Sequence, residues 1–392
     1  MRRGWLIGVA RRATSGHGRP VLKPWLGLAC AALLCVASVG AGACNSAELK
    51  QPPGSSSSSG GGDDPGDEDP DGGPVVEGGR IPGAEGGVIP TSSNVTIQIQ
   101  PSDFGAQIEA TIRAAKTSVH MTMYLLTDTT IIDALGDLKD AGKDVKVVLN
   151  KTFPPNGGDN ASAFAKLQAR GVPVVYASSA YTFTHAKSVV IDGDKVLLMT
   201  MNLTQTSAKD NREFIATDSD PADVADCEKL FAADFVGAAI NVNGKLVVSP
   251  EAAQPVDARA RIKALIDSAT TSLDVEVQSL SDSALTDAIV LAHQAKVQVR
   301  VVLSGEPGQT PNELAMIAKL KQAGVPLKGV LTPYIHAKTV VVDGTKVFVG
   351  SQNFTPTALT QNREVGVVTD APAEAKKVQD VIAKDFLAGA AL

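Results

Sequence analysis

Apolar and polar positions from about residue 95 onward follow a pattern that is written twice. The segments ATIRAAKTS (110–118) and ALIDSATTS (264–272) carry apolar residues at helical spacing, whereas the valine runs in VKVVLN (145–150) and VRVVLS (299–304) read as buried strands. In LQARGVPVV (167–175) and LKQAGVPLK (320–328), the Gly before Val-Pro ends the intervening helix. Residues 107–126 find their echo in 261–280; the offset is 154 there, 153 at the Gly-Val-Pro turn and 151 further on, so the copies differ by small deletions. Each copy reads as helix, strand, helix, strand, helix, strand, hairpin. That order predicts an α/β fold with parallel strands, built from two duplicated units over 95–240 and 241–392.

The pattern before residue 95 is different. Arg2, Arg3, Arg11, Arg12, Arg19 and Lys23 stand in a stretch without acid, followed by WLGLACAALLCVASVGAGA, an apolar run ending in small residues. That is the order of charge and hydropathy in an export signal. Cys44 follows Ala41, Gly42 and Ala43, as in a bacterial lipoprotein cleavage box, which makes residues 1–43 a signal peptide and Cys44 the lipidated residue. Ordinary signal cleavage and an uncleaved anchor are the alternatives, the run being close to the ~20 residues a span needs. Residues 44–94, with GSSSSSGGGDDPGDEDPDGG at their centre, are too poor in apolar side chains to fold and read as a disordered linker. The protein is thereby expected to be exported and anchored by lipid to a bacterial membrane, on its periplasmic or cell-surface side, or else secreted.

Composition narrows the chemistry. The 392 residues are 44% apolar and 4% aromatic, enough for about two domains. Of Cys30, Cys35, Cys44 and Cys227 only the last lies in the folded part, so no internal disulfide is available. No Cys or His cluster has metal-ligand spacing. The formal charge is −6, and removal of the six basic residues at the start leaves about −12, so a general nucleic-acid footprint is absent.

The most specific repeat is HAKSVVIDGDKVLLMTMN (185–202) against HAKTVVVDGTKVFVGSQN (336–353). With Gly193-Asp194 and Gly344-Thr345 as two-residue type II′ loops, His185 faces Asn202 and Lys187 faces Thr200; His336 likewise faces Asn353 and Lys338 faces Ser351. Moving the loop to Asp-Gly keeps these residues on one face, while a three-residue loop spoils the argument. Imidazole, ammonium, hydroxyl and amide together at a strand end suit a phosphate oxyanion. Asp192 and Asp343, an odd step from the histidines, are expected to brace the turn.

His-x-Lys, four residues, Asp, six residues and Gly-Ser-x-Asn resembles the signature of the phospholipase D superfamily; the second copy matches throughout and the first carries Met199-Thr200 in place of Gly-Ser. The resemblance covers about residues 95–392, including Asn211-Arg212-Glu213 and Asn362-Arg363-Glu364. It implies a phospholipase D-like fold with the repeats about a pseudo-twofold axis and the site between them. It further implies a phosphodiesterase without metal or cofactor, in which His185 attacks phosphorus, His336 moves protons, and Glu213 and Glu364 orient the imidazoles. Lys187, Lys338, Thr200, Asn202, Ser351 and Asn353 would hold the phosphate. The expected substrate is phospholipid at a membrane surface, by head-group hydrolysis or exchange, with no obligatory nucleic acid; an endonuclease and a non-catalytic phosphate-binding relic are the alternatives. His120, His293 and Cys227 read as structural, and Phe183 and Tyr334, each two before a motif histidine, as cleft-lining or packing residues.

Overall fold

The computed structural model describes residues 89–154, 158–240, 242, 244–250 and 257–392. The expected signal peptide and most of the expected linker lie outside them. The first repeat runs β1 (Val95–Gln100), α1 (Ala106–Arg113), β2 (Ser118–Met123), α2 (Thr129–Asp140), β3 (Asp144–Leu149), α3 (Ala161–Ala169), β4 (Val174–Tyr176), β5 (Lys187–Ile191), β6 (Lys195–Met199), α4 (Gln205–Asp210), β7 (Asn211–Asp218) and α5 (Pro221–Val236). The second runs β8 (Val247–Ser249), α6 (Ala258–Asp267), β9 (Ser272–Val277), α7 (Ser283–Gln294), β10 (Gln298–Ser304), α8 (Pro311–Gln322), β11 (Leu327–Val330), β12 (Tyr334–Ile335), β13 (Lys338–Val342), β14 (Lys346–Gly350), α9 (Pro356–Thr360), β15 (Glu364–Thr369) and α10 (Pro372–Ala388).

Each repeat builds one sheet. Their orders are β1-β7-β6-β5-β2-β3-β4 and β11-β10-β9-β13-β14-β15-β8, with β12 crossing over to pair with β7 of the first repeat. The expected parallel strands are present in β2, β3 and β4 and in β9, β10 and β11, but the hairpins add an antiparallel half, so both sheets are mixed. Side chains alternate across each pleat and fill two kinds of core. Val189, Ile191, Leu197 and Met199 meet the helices α1 to α3 on the outer side of the first sheet. Val190, Val196 and Leu198 instead meet Val341, Val347 and Val349 of the second sheet, with Leu230 of α5 and Ile382 of α10 closing the same cluster. The repeats therefore share a core, and both belong to one compact unit.

The hairpins depart from the expected register. Ile191 pairs with Lys195 and Val342 with Lys346, which leaves three-residue loops at 192–194 and 343–345. Asp192 and Gly193 both have positive φ, 57° and 66°, as do Asp343 and Gly344, and the Asp194 and Thr345 amides close the turns onto Ile191 O and Val342 O. Two left-handed residues in succession make a type I′ geometry rather than II′. Asp tolerates the left-handed region, and its carboxylate is held there. Asp192 accepts from the backbone N–H groups of Lys116, Thr117 and Ser118, and Asp343 from those of Thr270, Thr271 and Ser272. The aspartates thus tie the hairpin to the start of the neighbouring strand. The register shift removes the expected pairing of Lys187 with Thr200 and of Lys338 with Ser351.

Candidate active site

Both motif histidines are fixed by the opposite repeat. The His185 and Ala186 amides donate to Arg363 O, each at 2.9 Å, and the His336 amide donates to Arg212 O at 3.3 Å, beside the β12–β7 pairing. Each arginine is locked in turn. Arg212 makes a two-pronged contact with Asp385 of α10 (2.6 and 3.0 Å) and reaches Gln100 O, and Arg363 contacts Asp234 of α5 at 3.1 Å.

The imidazoles follow the same exchange. His185 Nδ1 lies 2.9 Å from both carboxylate oxygens of Glu364. His336 Nδ1 lies 2.8 Å from Glu213 Oε1, at an angle less favourable than that of the His185–Glu364 pair. The difference has a cause in the first repeat: Thr200 Oγ1 donates to Glu213 Oε2 at 2.5 Å and Asn211 Nδ2 to its Oε1 at 3.1 Å. In the second repeat, Ser351 Oγ donates instead to Val365 O, and Glu364 meets Asn362 Nδ2 and His185. Thr200 and Ser351, expected on the phosphate, are thus both turned to their own sheets.

Lys187 and Lys338 are buried beside the histidines, and their Nζ atoms donate to His185 O (2.5 Å) and His336 O (2.6 Å). Asn202 and Asn353 are also buried, and the Oδ1 of each lacks a protein partner among the described residues. Buried amides without partners are rare enough to mark a place where another polar group belongs. Burial pushes the pKa of both imidazoles down to about 4; the adjacent Glu364 or Glu213 opposes that shift and the two lysines reinforce it. At neutral pH both rings are therefore neutral, and a carboxylate on Nδ1 of His185 directs the lone pair to Nε2.

The family model described as "Cardiolipin synthase, PLD-like domain" matches the chain twice, over residues 108–235 and 262–386. The chain belongs to the phospholipase D superfamily. It is 35% identical over 103 residues to the mitochondrial cardiolipin hydrolase of Xenopus laevis, covering 26% of this chain and 48% of that protein. It is 31% identical over 100 residues to the phospholipase D of Rickettsia prowazekii, covering 25% and 48%. The chain thus spans about half the length of the curated relatives it matches. Among solved structures, phosphatidylserine synthase from Haemophilus influenzae superposes with a TM-score of 0.58 at 14% identity, covering 76% of this chain and 88% of that one. Polyphosphate kinase from Porphyromonas gingivalis gives 0.58 at 17%, covering 74% and 46%. At those identities the likeness is one of fold.

Within this phospholipase D-type frame, the Met199-Thr200 departure has a packing explanation. A Cβ at Gly350 would collide with Phe348 and Gln352 and come within 3.0 Å of Gly366 Cα. The first repeat has Met199 and Ile215 where the second has this glycine pair, and Leu197 and Met201 where it has Phe348 and Gln352. Volume lost at one position is regained at its neighbour, so Met199 fits the same kind of core.

Two residues beside the lysines were not singled out by the motif. Tyr124 and Gln278 hold equivalent places just after β2 and β9, the carboxyl ends of parallel strands where α/β folds place their sites. Lys187 Nζ stands 4.9 Å from the centre of the Tyr124 ring, and that ring meets His185 edge-on at 4.5 Å. Gln278 accepts from Lys338 Nζ at 3.0 Å and donates to Tyr334 OH at 2.9 Å. Tyr334 in turn stacks near His336, while Phe183 packs on Tyr124. The two halves thus surround their lysines differently.

His120 lies away from the site, between Glu228 and Asp144 and stacked on Phe231; burial is outweighed by Glu228, and its pKa is raised. His293 sits on α7, and Cys227 is buried on α5, where burial pushes its thiol pKa well up. Cys44 lies outside the described residues.

Proposed function

We propose that this chain is a metal-independent phosphodiesterase that cleaves phospholipid head groups through a phosphohistidine. The observation that carries the reading is the reciprocal pairing of each motif histidine with a glutamate of the other repeat. It supports a site in which two imidazoles act on one phosphorus. Nε2 of His185 attacks, and the P–O bond to the leaving alcohol breaks as His336 gives that oxygen a proton. His336 then takes a proton from water, whose oxygen displaces His185. Before substrate binds, the ammonium groups of Lys187 and Lys338 stand against the carboxylates of Glu213 and Glu364. A phosphodiester brings one negative charge, which favours one imidazolium; substrate binding thereby promotes uptake from solvent of the proton that His336 then gives to the leaving oxygen. Lys187, Lys338 and the Nδ2 groups of Asn202 and Asn353 would donate to the non-bridging oxygens.

Phospholipid is favoured by the relatives named for cardiolipin hydrolysis and phospholipase D activity, and by the acidic balance of the chain. Head-group release from mixed phospholipid vesicles, run in EDTA beside plasmid nicking, tests the reading. Release without nicking is expected; nicking alone makes the chain a nuclease, and phosphate binding without turnover makes it a relic. Loss of activity in EDTA with rescue by a divalent ion removes the mechanism.

The reading extends to an exported protein lipidated at Cys44. Among the described residues no helix is long and apolar enough to cross a membrane. Cys44→Ser should release the protein from membranes into the aqueous phase of a detergent extraction, and a native protein already in that phase would dismiss the anchor.

A further inference from the structure

Among the described residues six large apolar side chains are exposed: Phe104, Val236, Leu291, Leu314, Leu331 and Leu387. Topology puts five of them at the end of the molecule that carries the histidines. Phe104 follows β1, whose last residue Gln100 pairs with Glu213. Val236 and Leu387 end α5 and α10 at equivalent places in the two repeats, just past Asp234 and Asp385, the partners of Arg363 and Arg212. Leu331 lies between β11 and β12, directly before Tyr334 and His336. Leu314 is in the first turn of α8 beside Glu313, which accepts a hydrogen bond from Ser279, the neighbour of Gln278. All five are more than half exposed, and Leu387 reaches 83%. Leu291, at 41% the least exposed, lies toward the opposite end of α7.

A lone exposed leucine needs no explanation. Five apolar tips on separate loops and helix ends around one site do. We infer that they form a rim that inserts into a phospholipid surface and brings the phosphodiester of a bilayer lipid to His185 and His336, an inference that rests on the phospholipase reading above. The tips stand on different elements and define no single groove, which suits a fluid interface better than a shaped protein partner. Val236 and Leu387, equivalent in the two repeats, give contact on both sides of the site. Charges at the same end of the first sheet are of both signs, Lys151 after β3 and Lys209 at the end of α4 with Asp103 and Asp210, so apolar insertion rather than attraction to anionic lipid holds the surface. The described chain joins the first sheet at its other end, where Ser92 is bonded to Asp218 at the close of β7.

The full chain carrying Phe104→Asp and Leu387→Asp is compared with the parent on vesicles of phosphatidylethanolamine, phosphatidylglycerol and cardiolipin, and on short-chain phospholipids kept monomeric. Turnover on vesicles should fall about tenfold or more while that on monomers stays within about twofold. Unchanged vesicle turnover overturns the rim and leaves the phospholipase reading intact. If neither form is cleaved, that reading fails, and quenching by nitroxide lipids judges the rim separately. After subtraction of the parent signal, Leu387→Trp should be quenched and Leu291→Trp should not. Quenching at both or neither overturns the rim, as does a dimer in sedimentation that the two aspartates dissolve. The same quenching decides if the aspartates lower both activities together.

Discussion

Both carboxylate oxygens of Glu364 lie 2.9 Å from Nδ1 of His185, 179 residues earlier in the chain. Glu213 reaches across in the other direction to His336. Neither motif histidine is therefore backed by the glutamate of its own repeat, and both repeats are needed to assemble the two histidine–glutamate pairs. A carboxylate behind a histidine fixes its tautomer and stabilises the charge that develops on it.

The exchange makes a prediction that sequence order would reverse. Glu364→Gln should behave like His185→Asn, and Glu213→Gln like His336→Asn, with kcat reduced about 10²–10⁴-fold. Rapid-quench detection of acid-labile phosphate separates the pairs. Glu364→Gln should lose the adduct, and Glu213→Gln should retain it with a substrate whose leaving group needs little protonation. The opposite pattern would mean that each glutamate serves its own repeat.

The duplicated α/β fold and the residues around the histidines were legible because helical and strand periods recur at a nearly fixed offset and the motif is dense in functional groups. The partner of each glutamate was not, since local sequence cannot distinguish two pseudo-equivalent carboxylates. The hairpin register was missed for a different reason. Asp192 and Asp343 adopt positive φ because backbone N–H groups some 70 residues away hold their carboxylates, and no hairpin rule contains that contact. The places of Thr200 and Ser351 went with it. Tyr124 and Gln278 differ chemically, so comparison of the repeats passed over them, although the strand ends marked their position.

Asp192 and Asp343 should therefore matter to stability more than to turnover. Burial works against ionisation of Asp192, but backbone N–H donors outweigh it and hold its pKa well below the usual range; Asp343 shows the same balance. Asp343→Asn leaves several of these donors poorly matched and should cost about 1–3 kcal/mol. Urea midpoints measure the loss, while kcat per folded molecule should stay within a few-fold. A collapse of kcat at unchanged stability would place the aspartate in the chemistry.

The lowered histidine pKa values predict an acid-sensitive fold. Unfolded histidine titrates near 6.5, and both imidazoles here are pushed down to about 4. Between those values the unfolded chain binds more protons than the folded one. Their stabilisation is thus fully present above about pH 6.5 and is lost as pH falls toward 4, by up to about 1.4 kcal/mol per pH unit for each histidine. His120, with its raised pKa, and Asp223, pushed up to about 6, act in the opposite sense. The test is therefore a difference: His336→Asn should flatten the rise of unfolding free energy with pH between 4.5 and 6.5. Parallel curves would show that the ring titrates normally.

His185 and His336 should also be separable chemically. Glu364 brings both carboxylate oxygens within 2.9 Å of His185 Nδ1, which favours a fixed nucleophile; the less well-aligned Glu213 contact suits a ring that gains and loses a proton. On the proposed roles His336→Asn should remove the general acid, but a substrate with a good leaving group needs little such help. It should still phosphorylate His185, and the adduct should persist because the base that activates water is also gone. His185→Asn should form no adduct with any substrate. Mass spectrometry of the quenched protein decides: an adduct on His336 reverses the roles, and an active enzyme with adducts on neither would attack phosphorus directly with water.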